Sequence, residues 1–491
     1  MTSLPNFLKK RAFLTPNRTA VEMGEQTITF QELYQSSVHL SRKLSFAGVK
    51  KGSTVSLFMN NSVELVQLIF ALKNIGAIAV LHNTRLTSAE LAYQMNDAAS
   101  ILLLVDDVQE WMMELSTPVI TRYSLKDLEE KPCTLLDEFC LDDVTTIMYT
   151  SGTTGFPKGV KQTHGNHFWS ATGSAFNLGL HEDDCWLLAV PIFHISGYSI
   201  LMRSVLYGMK VRLHKRFDVD FVHQDIMTKG VTIISVVSSM LHVLIEKLGK
   251  DQYPSEFRCM LVGGGPVPQS LLMSCKEKEI PVIQTYGMTE TCSQIVTLSA
   301  EYALKKIGSA GKPLFPSQLK ISLHDKEAGA HIIGEIMVKG PNVTPGYFNN
   351  KAATASSIRE GWLYTGDLGY LDEEGFLYVV DRRSDLIISG GENIYPAEIE
   401  AAMLSHPSIL EAGVTGVKDE KWGQVPVGVV VTKKDRKLDV EELLDYLSSK
   451  LAKFKVPKEL IEVDILPRNA SNKLVRKELA KLFPKGEDDE S

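Results

Sequence analysis

The sequence predicts an α/β protein: a large N-terminal domain of parallel-type α/β sheets with a small β-rich subdomain, then a mobile α+β C-terminal domain. Three observations carry this. Apolar runs of strand length alternate with runs of helical spacing through most of the chain. Near Ile307 the texture changes to short strands split by Gly, Pro and Asn. After Arg382 helical patterns surround one strong strand. The 491 residues, 44% hydrophobic and 23% charged, are ordinary globular material long enough for more than one domain.

The elements follow in order. Thr54–Met59 reads as a strand, and Val63, Leu65, Val66, Ile69 and Leu72 place one apolar face on a helix over Ser62–Leu72. Ile78–Leu81 is strand-like, Ser88–Asn96 helical and Ile101–Val105 a buried strand. The rhythm recurs in Val231–Val237, Met240–Leu248, Cys259–Val262, Leu271–Lys278 and Val282–Tyr286. Leu319–Leu323, Gly334–Lys339 and Phe376–Val380 are the short strands of a subdomain over about 307–383. Glu398–Leu404, Glu441–Leu451 and Val475–Leu482 read as helices, with Val425–Thr432 a strand. The expected division is therefore 1–383 and 385–491, the tail Lys485–Ser491 being charged and frayed.

Bulk properties narrow the function. A net charge of -7 creates no field favouring nucleic acid or an anionic membrane. The six cysteines (Cys133, Cys140, Cys185, Cys259, Cys275, Cys292) form no CxxC pair, which argues against structural zinc and for reduced thiols in a cytoplasmic protein. The first residues mix Lys9, Lys10 and Arg11 with polar groups and lack the apolar stretch of a signal peptide. The longest apolar run, Leu68–Leu81, is broken by Lys73 and Asn74 and falls short of the ~20 residues a membrane span needs.

Residues 149–159, Tyr-Thr-Ser-Gly-Thr-Thr-Gly-Phe-Pro-Lys-Gly, are the most informative stretch. Gly152, Gly155 and Gly159 let backbone amides converge, Thr150, Ser151, Thr153 and Thr154 add hydroxyls, and Lys158 adds a charge. Such a loop suits polyphosphate. A Walker A loop counted from Gly152 needs glycine at 157, where Pro157 stands. Taken alone, the segment also reads as a flexible Ser/Thr/Gly linker.

Five further segments join it: Leu-Val-Gly-Gly-Gly-Pro-Val-Pro at 261–268, Thr-Tyr-Gly-Met-Thr-Glu at 285–290, Trp-Leu-Tyr-Thr-Gly-Asp-Leu-Gly at 362–369, the Asp-Arg-Arg-Ser stretch from Asp381 through the Gly390-Gly391-Glu392-Asn393 turn, and Pro-Arg-Asn-Ala-Ser-Asn-Lys-Leu at 467–474. In this order they resemble the adenylate-forming superfamily of acyl-CoA synthetases, adenylation domains and beetle luciferases, over nearly the whole chain. The resemblance implies ATP and coenzyme A as co-substrates and Mg²⁺ as cofactor. It implies that the 149–159 loop holds the β- and γ-phosphates, Thr289 the α-phosphate and Glu290 the Mg²⁺. Asp367 and Arg382 would bind ribose; Gly263, Gly264 and Tyr286 would border adenine. Lys473 would reach from the small domain to the α-phosphate and the attacking carboxylate. Gly390 and Gly391 would line the thioesterification face, with Ser384 as hinge where the family commonly has Asp or Lys. Asn472 stands where many members have Gly. Each residue alone has a plainer reading: Asp367 as a turn residue, Glu290 as a first-turn helix charge, Lys473 as a solvated charge beside Arg476 and Lys477.

Pro191–Gly197, Pro-Ile-Phe-His-Ile-Ser-Gly, resembles the segment before the acyl pocket of acyl- and aryl-CoA synthetases. His194 would sit beside the carboxylate under attack, with Ser196, Gly197, Thr285 and Gly287 in the pocket wall. Arg203 is the only charged residue between His194 and Lys210. An apolar tail has no use for it, whereas an acid with a second carboxylate would need such a counter-charge. The alternative is a surface helix whose arginine snorkels to solvent. The expected partners are small molecules: ATP, coenzyme A and an aryl dicarboxylate or another aryl acid. A general aryl- or fatty-acyl-CoA synthetase, a luciferase-like oxygenase, a peptide-synthetase module, a nucleotide sensor and a homo-oligomeric state all stay open at this point.

Overall fold

A computed structural model describes residues 2–483 except 151–156, 265, 266, 268, 304, 383–386, 395, 434, 435, 437, 468–473 and 475. The chain divides into two compact units: Met1–Thr84, Met95–Tyr149 and Gly159–Asp381 form the larger; Arg85–Gln94, Thr150–Lys158 and Arg382–Ser491 form the smaller. The smaller unit thus takes in two short segments from the sequence range expected to be wholly N-terminal, and Arg382 with it.

The larger unit contains three main sheets. In a six-stranded sheet, Thr54–Phe58 lies between Ile78–Leu81 and Leu102–Val105, both parallel to it, and Val119–Thr121 and Val144–Thr150 extend the parallel pairing at the two flanks. Thr54–Phe58 is buried at every position, as a strand covered on both faces must be. The helix Val63–Ile75 connects it to Ile78–Leu81; Ser62 caps its start through Leu65 N, and Gly76 ends it in the left-handed conformation.

In a nine-stranded sheet, Cys185–Leu188, Ile233–Val236, Cys259–Val262 and Val282–Met288 run parallel side by side. Both edges turn antiparallel: Thr19–Met23 pairs with Gln26–Thr29 on one, and Val282–Met288 with Ser293–Thr297 on the other. The parallel rhythm of the sequence does not announce these hairpins, because a strand and its antiparallel neighbour share the same alternation. A third sheet, over Gln318–Arg382, is antiparallel wherever its pairing is described.

In the smaller unit, Ile409–Asp419 and Gly423–Thr432 form a long antiparallel pair, flanked by Ile387–Ser389 on one side and by Leu460–Glu462, which runs parallel to Gly423–Thr432. Pro396–Leu404 and Val440–Lys450 contribute Ile399, Met403, Leu443 and Leu447 to its core. Lys455 is buried there between Glu90, at 3.0 Å, and Glu398, at 2.7 Å. Among the described residues, no helix is long and apolar enough to cross a membrane.

Candidate active site

The antiparallel hairpin at the sheet edge positions the first candidates. Val282–Met288 leaves the parallel core, turns through the short helical segment Thr289–Thr291, and returns as Ser293–Thr297. A Cβ on Gly287 would collide with the Ser293 carbonyl oxygen, so the hairpin closes only over glycine. Thr289 and Glu290 therefore sit on a tight turn at a strand end, where α/β sheets place their ligands. Both are half-buried. The Tyr347 hydroxyl donates to Glu290 Oε1 at 3.0 Å, and Thr344 N donates to the Glu290 carbonyl at 2.7 Å. Glu290 suits Mg²⁺, a hard cation that accepts one carboxylate and completes its shell from phosphate and water. Among the described residues, no group of three acidic, histidine or cysteine side chains forms a cage that would hold a metal without such help.

The expected nucleotide wall is built from two sheets. Tyr286 donates its hydroxyl to Asp367 Oδ2 at 2.7 Å, and both side chains are buried. Asp367 reaches this point because Thr365 Oγ1 accepts from its backbone N–H and Glu335 Oε1 accepts from Gly366 N. Gly263 follows the strand Cys259–Val262 and lies against Thr285; a Cβ there would come within 3.1 Å of Thr285 Cγ2. Gly264 has φ +84, which glycine adopts without cost. Arg382 ends the strand Leu377–Arg382, with its side chain outside what is described.

On the acyl side, His194 is the N-cap residue of the helix Ile195–Tyr207, its ring 4.7 Å from that of Phe193. Ser196 is exposed, while a Cβ on Gly197 would collide with the Pro191 carbonyl oxygen. The Thr285 hydroxyl is engaged within its hairpin, donating to Val296 O at 2.9 Å. Arg203 does not snorkel. It is 1% exposed, its guanidinium lies 5.0 Å from the Trp186 ring centre, and one terminal nitrogen is 3.4 Å from Ser293 Oγ. Its Nε has no hydrogen-bond partner. Burial lowers its pKa from the ordinary arginine value. Ser199 Oγ, one turn earlier, lies 3.2 Å from the same Ser293 hydroxyl. A cation this deep, with its charge met by a ring face and by the Ser293 and Tyr207 hydroxyls, is costly unless an anion joins it.

Ser151, Gly152, Thr153, Thr154, Gly155, Ser384, Asn472 and Lys473 lie outside the described residues. Thr150 ends the strand Val144–Thr150 and Lys158 opens Lys158–Thr163. Gly390 and Gly391, with φ of 56 and 85, form the turn between Ile387–Ser389 and Glu392–Ile394. Sequence reasoning missed Tyr347, which follows a Pro345-Gly346 turn, and Ser293, which is unremarkable in composition. It also missed Gln162, whose amide donates to Thr289 O at 3.0 Å, although a polar residue two positions after Val160, on a strand face pointing inward, is a signal of a buried polar role.

The AMP-binding enzyme family matches residues 8–348, and the AMP-binding enzyme C-terminal domain matches 398–473. A 2-succinylbenzoate–CoA ligase of Geobacillus kaustophilus is 56% identical over 487 residues, 99% of each chain. Among solved structures, a double mutant of o-succinylbenzoate CoA synthetase (MenE) from Bacillus subtilis, bound to its product analogue OSB-NCoA, is 49% identical with a TM-score of 0.94, covering 98% of this chain and 99% of that one. The same Bacillus subtilis enzyme in complex with the acyl-adenylate intermediate OSB-AMP gives 0.78 at 49% identity, over 99% and 100%. In complex with ATP and magnesium ion it gives 0.76 at 49%, over 97% and 100%.

Proposed function

The chain belongs to the AMP-binding enzyme family, and on that premise we propose that it ligates o-succinylbenzoate (2-succinylbenzoate) to coenzyme A, with ATP converted to AMP and pyrophosphate, as a step in menaquinone (vitamin K2) biosynthesis. A carboxylate oxygen attacks the α-phosphorus, an O–P bond forms and pyrophosphate leaves. The thiol of coenzyme A then gives up its proton and attacks the acyl carbonyl as the thiolate; a C–S bond forms and AMP departs with the electron pair of the broken C–O bond. The first step brings two anions together, so electrostatic cancellation is its main requirement. Bound Mg²⁺ supplies part of that cancellation.

Thr289 holds the α-phosphate and Glu290 the metal; Asp367 and Arg382 take the ribose; Gly263, Gly264 and Tyr286 border adenine. His194 faces the reacting carboxylate, and Ser196, Gly197, Thr285 and Gly287 shape its surroundings. The 150–158 loop takes the outer phosphates. The part of the chain after Ser384 acts as a lid that brings Lys473 to the α-phosphate and later offers Gly390 and Gly391 to the thiol. The six free cysteines, all before Ser384, suit a reducing cytoplasm.

One observation supports the choice of acid above the rest: the buried guanidinium of Arg203, with its unpartnered Nε and a serine hydroxyl beside it. Arg203 binds the carboxylate of o-succinylbenzoate that is not activated. A general aryl- or fatty-acyl-CoA synthetase would leave that cation without an anion. A competition assay separates these readings. With ATP, Mg²⁺ and coenzyme A supplied, o-succinylbenzoate should be consumed ahead of benzoate, coumarate and octanoate. Equal use of octanoate would overturn the assignment.

A further inference from the structure

The turn that carries Thr289 and Glu290 is held by the carbonyl oxygens of four successive residues. Gln162 Nε2 donates to Thr289 O at 3.0 Å, Thr344 N to Glu290 O at 2.7 Å, Asn342 Nδ2 to Thr291 O at 3.0 Å, and Ser170 Oγ to Cys292 O at 2.6 Å. The turn needs such holding: Cys292 and Ser293 have φ of 54 and 93, which L-residues adopt only under constraint. Gln162, Asn342 and Ser170 are buried, so each bond stands in a low-dielectric interior.

Behind Gln162 lies a chain with one self-consistent direction. The Thr289 carbonyl only accepts, so the group of Gln162 facing it is the amide NH₂ and Oε1 faces Thr146. Thr146 Oγ1 lies 2.9 Å from Gln162 Oε1 and 2.9 Å from His167 Nε2. Since Oε1 only accepts, the Thr146 proton goes to it, and His167 Nε2 must donate to Thr146. A neutral imidazole then has Nδ1 bare, and Nδ1 lies 3.0 Å from Cys292 Sγ, whose S–H donates to it. Thr146, Gln162, His167 and Cys292 are all buried. Complete burial and the nearby Lys73 charge hold His167 well below the ordinary imidazole pKa, in its neutral form.

We propose that Cys292, His167, Thr146 and Gln162 form a one-way hydrogen-bond circuit, starting on the turn at Cys292 and returning to it at Thr289, that positions Thr289 and Glu290 for attack on the α-phosphorus. These four are positioning residues. Their action rests on the reading that Thr289 and Glu290 handle the phosphate and the metal. Loss of the thiol donor removes what fixes the direction. His167 can then take either tautomer, and in the wrong one Thr146 turns its proton away from Gln162. The amide of Gln162 is freed, and the turn loses its hold on Thr289. A displacement of about 1 Å at a reacting centre can cost roughly 100-fold in rate.

The test compares wild type, Cys292→Ala and Cys292→Ser, with His167→Gln used to assign the imidazole signals. In the ¹⁵N spectrum of the wild type, His167 should be neutral and protonated on Nε2. Cys292→Ala should give a mixture of tautomers and lower kcat for pyrophosphate release roughly 10-fold or more. It should also raise the half-saturating Mg²⁺ concentration, with the KM for o-succinylbenzoate unchanged. Cys292→Ser, which keeps a donor, should restore all three. An Nδ1–H tautomer or an imidazolium in the wild type would overturn the circuit. So would a folded Cys292→Ala protein with wild-type kcat and Mg²⁺ dependence. Absence of pyrophosphate release by the wild type would count against the functional reading, while the His167 spectrum would still decide the circuit.

Discussion

Tyr286 and Asp367 stand 81 positions apart in sequence, yet the tyrosine hydroxyl donates to the aspartate carboxylate at 2.7 Å. Tyr286 comes from the last parallel strand of the nine-stranded sheet and Asp367 from the antiparallel sheet, so this bond joins the two layers where the nucleotide is expected. The phenol occupies one lone pair of Oδ2 and orients the carboxylate proposed to take the ribose diol. Tyr286→Phe keeps the ring and removes that bond. A hydrogen bond to a charged group is worth about 1.5–3 kcal/mol, so the KM for ATP should rise roughly 10-fold or more. The KM for o-succinylbenzoate should not move; steady-state kinetics with each substrate varied in turn will check this.

Arg203 should decide the acid. On the proposed role, Arg203→Leu removes the counter-charge of the second carboxylate. The KM for o-succinylbenzoate should rise roughly 10- to 100-fold, the equivalent of one charge-assisted hydrogen bond or a pair of them, with ATP unaffected. The same variant should not be less stable, because a buried unpaired cation is replaced by packing volume. Equal small changes in both KM values would contradict the role.

Tyr347 orients Glu290. Tyr347→Phe should leave the fold intact and weaken Mg²⁺ dependence by a few fold, since the hydroxyl at 3.0 Å from Oε1 is lost. Titration of pyrophosphate release against Mg²⁺ reads this directly.

Lys73 makes a prediction about pH. It is fully buried, hydrogen-bonded to Thr145 Oγ1 at 2.9 Å, and burial lowers its pKa from 10.5 to about 7. Between those two values the unfolded chain binds the proton and the folded chain does not, so stability rises with pH through that window. Below about 7 the ammonium is charged in both states and its burial cost is fully present. The limit set by the shift is on the order of 5 kcal/mol. Lys73→Met should therefore stabilise the protein most near pH 6 and progressively less towards pH 10, on the order of the same window. Denaturant unfolding at several pH values will show the convergence; a constant difference would contradict it.

Much of this was legible from the residues. The strand Cys259–Val262 and the helix Val63–Ile75 lie where apolar runs and helical spacing put them, because one-sided or two-sided burial is a local signal. The resemblance assigns the Tyr286 and Asp367 segments to adenine and ribose; the structure adds that the two side chains touch. What was not legible is pairing between distant segments. Ser293 stands beside Arg203 only because a hairpin folds back at Thr289–Thr291, and nothing in the composition of Ser293 foretells it. Tyr347 meets Glu290, and Gln162 meets Thr289, through tertiary packing alone. Arg203 had two readings from sequence, pocket or surface; burial removes the second, since spacing cannot say what covers a helix face.

On the proposed reading, an acid bearing two carboxylates is activated on AMP and then passed to a thiol. The most direct measurement supplies the protein with ATP, Mg²⁺, coenzyme A and o-succinylbenzoate and follows every product. Thioester, AMP and pyrophosphate should form in equal amounts, with pyrophosphate released even when coenzyme A is withheld. Formation of ADP in place of AMP, or no acid-dependent pyrophosphate from an intact sample, would contradict it.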